Sequence, residues 1–456
     1  MRASPPDLPG SATNDSPLDR ALALLLADEN EAALRWSAAV VQQDPTIASA
    51  LILTARLLAT LGRTEAAAEG FLVGLKRAID AGNLPLAVAA AADLRALGAD
   101  VEDHLDAIAA AFALGSSRLS PDASPPPPPL QAFEGFQPLS SFLTGPALLS
   151  KATQIIHSAA QTYAAVEDSE PPLLAPIPLF SALERDGLRA LIGAFSMITV
   201  PAGAPVISEG EEGAEAYIVA RGELEVRRTT DGGPSTDATP LTLARLTNGA
   251  LFGEMALLSR APRAASVVAC RPSILLVATR EALEAVAEVR ADVGVELAAH
   301  CRRRMVANLV RTSPVLISVD PSERSALVDR FETRVYEKGE KLIVEGGDAP
   351  GLHLIASGEV AIVGHEAGEP VVITTLGAGE TAGEVALVLR RTPNADVVAV
   401  HPTVTLFLPR EDFYEIVRDH PAILHRLYFL AVARDEETSS VLRTEPVSVA
   451  DDLVIV

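Results

Sequence analysis

Apolar positions along this 456-residue chain keep two different rhythms, and the rhythm changes once. From about residue 17 to 117, Ala, Leu and Val recur at helical spacing, interrupted by short polar or Gly turns. Ala48 to Arg63 shows this most clearly and closes on Leu-Gly, while Gln42-Gln43-Asp44-Pro45 reads as a helix stop. From about residue 177 the texture becomes short β-branched runs punctuated by glycines, which predicts strands. Between the two lies a Pro-rich stretch, 118–176, with five consecutive prolines from Pro125 to Pro129, read as a semi-rigid spacer. One helix is predicted inside it, over 146–166, with Leu149, Ile155, Ile156 and Ala160 as a partial apolar stripe. Residues 1–16 are rich in Pro, Ser, Asp and Asn and are expected to be a disordered tail.

Both regions repeat internally. In the helical region Glu31-Ala-Ala returns as Glu65-Ala-Ala, 34 residues on, which resembles a tetratricopeptide-type helix-turn-helix array; a plain antiparallel bundle is the alternative. In the β region Phe195, Gly203, Glu209-Gly210 and Gly222 return as Phe331, Gly339, Glu345-Gly346 and Gly358, each 136 residues later. Past a turn near Asp231-Gly232-Gly233 the offset becomes 130, relating Gly253-Glu254 to Gly383-Glu384 and Val267-Val268-Ala269 to Val397-Val398-Ala399. The fold class expected is therefore multidomain α+β. It comprises an all-α domain at 17–117, a linker at 118–176, two tandem copies of one β-rich domain at 177–311 and 314–432, and a tail at 433–456. Each copy should open on a helix (Glu184 to Phe195; Pro321 to Phe331), and the first should close on paired helices, Arg280–Val289 and Val293–Val310.

Charge narrows the functions. With 60 acidic against 37 basic residues the net charge is −23, which repels nucleic acid and anionic lipid, and Arg302-Arg303-Arg304 reads as a solvated helix face. No run of apolar residues is long enough for a membrane span and no secretory signal is visible, so a cytoplasmic protein is expected. Cys270 and Cys301 read as small buried apolar residues, and the scattered histidines show no metal-ligand or triad spacing. No kinase, cyclase or Lys-Ser/Thr phosphate loop signature appears, so no enzyme activity and no metal are expected.

Chemistry concentrates at 251–269, where Glu254 precedes Arg263 by nine residues in a small, apolar stretch. The Gly-Glu start, the short apolar helix and then Pro-Arg-Ala-Ala before a β-branched run resemble the phosphate-binding cassette of cyclic nucleotide-binding domains. Residues 209–226 resemble that family's first signature, and the likeness covers more than half of the chain. The resemblance implies a β-roll (jelly-roll-like) fold with lid helices, and a ligand site formed by Gly253, Glu254, Met255, Ala256, Arg263, Ala264, Ala265 and Ser266. A guanidinium suits a phosphodiester because it gives two parallel charge-assisted hydrogen bonds, and helix amides add more donors. In this family a hydroxyl residue directly after the arginine favours guanine. Ala264 stands there, which favours cyclic AMP over cyclic GMP. Met305 and Leu309 are candidates to cap the base.

The second copy departs at the decisive position. Arg263, Ala264 and Ser266 map to Pro393, Asn394 and Asp396, and the proline removes both the guanidinium and an N–H. Asp396 is expected to set a negative charge near a phosphate's place. Gly383, Glu384, Ala386 and Arg391 remain as weaker candidates. The tandem arrangement is similar to the regulatory subunit of cyclic AMP-dependent protein kinase, but without its basic inhibitor segment; Arg118 and Lys151 are the basic residues of 118–178. The expected function is a non-enzymatic cyclic nucleotide receptor that signals to a protein partner through its lid helices and helical N-terminal module. A structural scaffold is the rival reading, and a homo-oligomer is compatible with both.

Overall fold

The computed structural model describes residues 16–125, 135–165, 170–228, 241–255, 262–366 and 369–443. The expected tail up to Asp15, most of the proline run and the turn at Asp231 lie outside the described residues. The chain divides into two compact units, Met1–Glu254 with Ala265–Ala298, and Met255–Ala264 with Ala299–Val456.

The first unit begins with helices α1 (Pro17–Leu26), α2 (Asn30–Gln43), α3 (Ala48–Thr60), α4 (Thr64–Asp80), α5 (Leu84–Ala96) and α6 (Glu102–Phe112). Helix α1 starts at a capping box. The Asp19 N–H donates to Ser16 Oγ at 3.2 Å, the Ser16 N–H donates to Asp19 at 3.4 Å, and Pro17 occupies the first turn. Each helix packs on the next, as short turns require, and α2 and α4 start 34 residues apart. What the packing establishes is a helical bundle. Helix α7 (Gly145–Ala164) lies against α2, α3 and α4 and buries Leu148, Ala152, Ile155, Ile156 and Ala159. The expected Leu149 and Ala160 are half-buried, since the 3–4 spacing that faces the bundle runs through their neighbours. The stretch expected to be a spacer returns on itself: Leu119 bridges Leu174, and Arg118 donates to the Pro172 carbonyl at 3.2 Å and to Asp80 at 3.1 Å.

Helix α8 (Arg185–Gly193) leads into β1 (Ser196–Val200), β2 (Pro205–Ile207), β3 (Glu215–Arg221), β4 (Leu224–Arg228), β5 (Leu241–Leu246), β6 (Leu251–Phe252), β7 (Ser266–Ala269) and β8 (Ser273–Thr279), followed by α9 (Arg280–Val289). The strands form two antiparallel sheets, ordered β1-β8-β3-β6 and β2-β7-β4-β5, which share a core of Val200, Ile207, Val219, Leu224, Phe252, Val267, Ala269 and Leu275. The exposed Cys270 sits just past β7 and is not the buried small residue expected; Cys301 is buried. A charged cluster joins bundle and sheets. Arg221, at the end of β3, donates to Asp19 at 2.6 Å and to the Pro272 carbonyl at 3.1 Å, and Arg271 also pairs with Asp19. Asp19 and Arg221 are 2% and 3% exposed, so each depends on the other for its charge. Burial pulls the Arg221 pKa down, against the field of Asp19.

The second unit repeats the β architecture with β9 (Glu332–Tyr336), β10 (Lys341–Ile343), β11 (Gly351–Ser357), β12 (Val360–Glu366), β13 (Glu369–Leu376), β14 (Thr381–Ala382), β15 (Asp396–Ala399) and β16 (Thr403–Pro409). Its sheets, β9-β16-β11-β14 and β10-β15-β12-β13, reproduce the first pair strand for strand. Even the bulges recur: register shifts at Val219/Arg221 and Val226/Arg227 reappear at Ile355/Ser357 and Ile362/Val363. Gly222 and Gly358, at φ 131° and 90°, show why glycine is kept. A Cβ there would lie 2.1 Å from Ser273 Oγ and 2.6 Å from Thr403 Oγ1. Among the described residues the pairings make two four-stranded sheets in each module.

Helices α10 (Ala291–Thr312), α11 (Pro314–Ile317), α12 (Arg324–Val328), α13 (Glu384–Val388), α14 (Arg410–Asp419) and α15 (Pro421–Arg443) complete the chain. Met305, Leu309, Leu316, Val328, Phe413 and Leu427 from these helices close over Leu354 and Leu406 of the sheet. Helix α12 is shorter than the expected Pro321–Phe331. Asp320 accepts the N–H and hydroxyl of Ser322 at 2.9 and 2.5 Å, which turns the chain before a helix can begin. Helix α15 runs past the expected boundary at 432 to Arg443.

Two stability predictions follow from the buried polar groups. Asp19→Ala should cost about 3–5 kcal/mol in urea unfolding, because it strands the Arg221 guanidinium in the interior; a loss under 1 kcal/mol would contradict this account. His353, fully buried on β11 between Tyr336 and Phe407, has its pKa lowered from 6.5 to about 4 by burial and by Arg334. The neutral ring is the folded form, so its contribution is complete above pH 6.5 and is lost as pH falls toward 4. Over that interval wild type should lose about 3 kcal/mol more than His353→Leu in denaturation measured against pH.

Candidate functional site

In the first module, strand β6 ends at Gly253, whose φ of 78° turns the chain at the point where the cassette begins. Glu254 follows with 3% exposure. Ser266 opens β7, where its Oγ accepts the Glu209 N–H at 3.0 Å; Ala265 is half-buried. In the second unit, Arg263 is 8% exposed and Ala264 is exposed. Charged groups this deep are expensive to hold without a compensating partner or ligand. Ala256 lies outside the described residues. Met255 is half-buried against the apolar cluster that contains Met305 and Leu309. These last two, expected as base caps, are 4% and 2% exposed core residues of the second unit, because helix α10 turns that face onto Val315, Leu316 and Leu427.

The second cassette is described throughout. Gly383 sits at φ 93°, and a Cβ on it would lie 2.7 Å from the Gly351 carbonyl, so glycine is required there. It leads into helix α13, whose first residue, Glu384, is 1% exposed; Ala386 is 4% exposed. Glu384 Oε1 accepts Arg434 Nη1 at 2.6 Å. The same guanidinium also binds the Thr381 carbonyl and, at 3.3 Å, Glu380. Burial raises the pKa of Glu384, against the pull of Arg434. The Thr381 hydroxyl and the Glu384 N–H act on this carboxylate in the same direction as Arg434. Glu384 lines a cavity of about 50 Å³, walled by Ile343, Ile362, Leu376 and Val397, with Pro393, Arg434 and Glu437 also lining it.

Gly383, Ala386 and Asn394 line the same cavity, whereas Arg391 faces elsewhere. Arg391 pairs with Asp435 and, with Arg390, lines a separate open groove beside Gly347, Arg410 and Tyr414. Asp396 takes the structural part of Ser266: it accepts the Glu345 N–H at 2.8 Å, as Ser266 does for Glu209, and Lys341 neutralises it at 2.7 Å. It therefore ties a turn to a strand, and Lys341 offsets the negative charge expected there. Asn394 donates to Asp435 at 3.0 Å.

Arg434 was not among the expected site residues. Its signal was the spacing Ile423, Leu427, Ala431 and Thr438, all buried, which sets Arg434 on the inward face of α15. Among the described residues no group of His, Cys, Asp and Glu is placed to hold a metal ion, and no helix is long and apolar enough to cross a membrane.

Comparison with known proteins agrees with the duplication. The model of the cyclic nucleotide-binding domain matches residues 197–290 and again 333–420. The cAMP-dependent protein kinase regulatory subunit of Hypocrea atroviridis is 31% identical over 270 residues, covering 59% of this chain and 56% of the relative. That of Neurospora crassa is 30% identical over 255 residues, covering 55% and 64%. The chain thus spans less than two thirds of each relative's length. Among solved structures, the regulatory domain of Toxoplasma gondii PKA with cAMP is 25% identical, covering 57% of this chain and 92% of that one, at a TM-score of 0.27. Matched sequence, repeated sheet order and repeated bulges converge: the chain carries two tandem domains of the cyclic nucleotide-binding type, preceded by a helical bundle.

Proposed function

We propose that this chain is a non-enzymatic receptor for a cyclic nucleotide, cyclic AMP rather than cyclic GMP, and that the first module holds the ligand. Arg263 carries this reading. It is a buried guanidinium in a segment that matches the domain model, nine residues after the buried Glu254, and its counterpart in the second module is Pro393. Arg263 neutralises the phosphodiester, Glu254 accepts the ribose 2′-hydroxyl, and Gly253 with residues 255–256 and 264–266 forms the remaining wall. The names of the relatives support cyclic AMP as ligand and a regulatory rather than catalytic role.

Ligand binding acts by population shift: the nucleotide favours one placement of α9 and α10 over another, and the difference in affinity sets the size of the switch. The helical module, read as tetratricopeptide-like, is the surface that meets a protein partner in the cytoplasm. The net charge of −23 disfavours nucleic acid as that partner, and the chemistry assigned here needs no metal. The two modules are assigned to 177–311 and 314–432.

Thermal melting with each nucleotide tests the reading. Cyclic AMP at a hundred times its Kd should stabilise the protein by about 2.7 kcal/mol. Arg263→Ala should weaken binding about a hundredfold, the equivalent of one lost bidentate charge contact. The absence of any shift in wild type would overturn the receptor and leave the scaffold reading. A shift that survives Arg263→Ala but disappears in Glu384→Ala would move the nucleotide to the second module.

A further inference from the structure

Two consecutive residues of helix α15, Arg434 and Asp435, hold the cassette of the second module from both of its ends. Arg434 donates to Glu384 Oε1 at 2.6 Å, to Glu380 at 3.3 Å and to the Thr381 carbonyl, where the cassette begins. Asp435 pairs with Arg391 and accepts the Asn394 side chain at 3.0 Å, where the cassette closes. Opposite charges on the helix thus meet opposite charges in the cassette, and only one register satisfies both. A slip of one residue would bring a carboxylate to Glu384 or a guanidinium to Arg391, and like charges at that range repel. The stretch that closes the clasp is also the one that departs from the first module. Asn394 stands where that module has Ala264, beside the Pro393 that replaces Arg263.

Little room is left beneath the helix. The cavity that Glu384, Asn394, Arg434 and Glu437 line has a volume of about 50 Å³, enough for a few water molecules. Small-molecule sites need about 300–1,000 Å³. The side chains of Arg434 and Asp435 are 14% and 23% exposed, so their bonds are screened less than those of a surface pair. We propose that Arg434 and Asp435 form a clasp that keeps helix α15 closed over the second module without a ligand. The protein supplies from its own helix the bridge between cassette and lid. A nucleotide would have to break these bonds and lift the helix before it could enter, so this module does not respond to nucleotide concentration. It serves as a fixed platform beside a responsive copy. The inference stands on the second module alone and holds whichever ligand the first module takes.

Hydrogen exchange of backbone amides, followed by mass spectrometry on the full chain, tests the clasp. It is measured with and without excess cyclic AMP in wild type and in Arg263→Ala, which separates the two modules' responses. Residues 431–443 should be protected without nucleotide, and in Arg263→Ala cyclic AMP should leave that protection unchanged. Asp435→Asn should speed exchange there about 3-fold, as for the loss of one partly exposed ion pair. The double variant Glu384→Gln/Arg434→Gln, in which neither member of the buried pair keeps a charge, should speed it about 10-fold or more. In both variants the amides of β11 and β16 should exchange as in wild type, because the helix opens locally. The proposal is overturned if cyclic AMP raises the protection of 431–443 in Arg263→Ala, or if either variant leaves exchange there unchanged. It is overturned equally if β11 and β16 lose protection in step with the helix, the mark of an ordinary core contact.

Discussion

In both modules a carboxylate follows directly on a left-handed glycine and is buried, and a buried carboxylate must find a cation or a donor. Much else follows from that constraint. In the second module Glu384 finds Arg434, so the position of the C-terminal helix is set by a charge that lies 50 residues earlier in the chain. Apolar packing of Ile423, Leu427 and Ala431 brings the helix down, but the guanidinium fixes its register over the cavity. In the first module Glu254 is buried at the equivalent point, and the chain there also carries Arg263.

Duplication has kept the scaffold and released the chemistry. Sheet order, bulges and the glycines at 222 and 358 are the same in both copies, because they answer to backbone geometry and cannot drift without unfolding the module. Ser266 and Asp396 show a middle case, in which a hydroxyl and a carboxylate accept the same backbone N–H and the extra charge is met by Lys341. Pro393 is the free case, where loss of a guanidinium leaves the strands intact.

Asp19 does in the first unit what Glu384 does in the second. It closes a capping box at the start of the bundle and takes two arginines from the edge of the first module's sheets. The linker adds to this by folding back through Leu119 and Leu174. Bundle and first module are therefore packed within one unit.

The amino-acid sequence alone determined the change from helical to strand periodicity and the offsets of 136 and 130 residues, because spacing and turn glycines are local properties. It also carried the contrast between Arg263 and Pro393, since that contrast is one of residue identity. Three things were decided only by the tertiary structure: that Met305 and Leu309 belong to a core, that Asp396 ties a turn, and that Arg434 reaches Glu384. Each depends on which residues distant in sequence meet when helices close over sheets. No local pattern encodes that meeting, because a buried charge chooses its partner from whatever packing brings within reach.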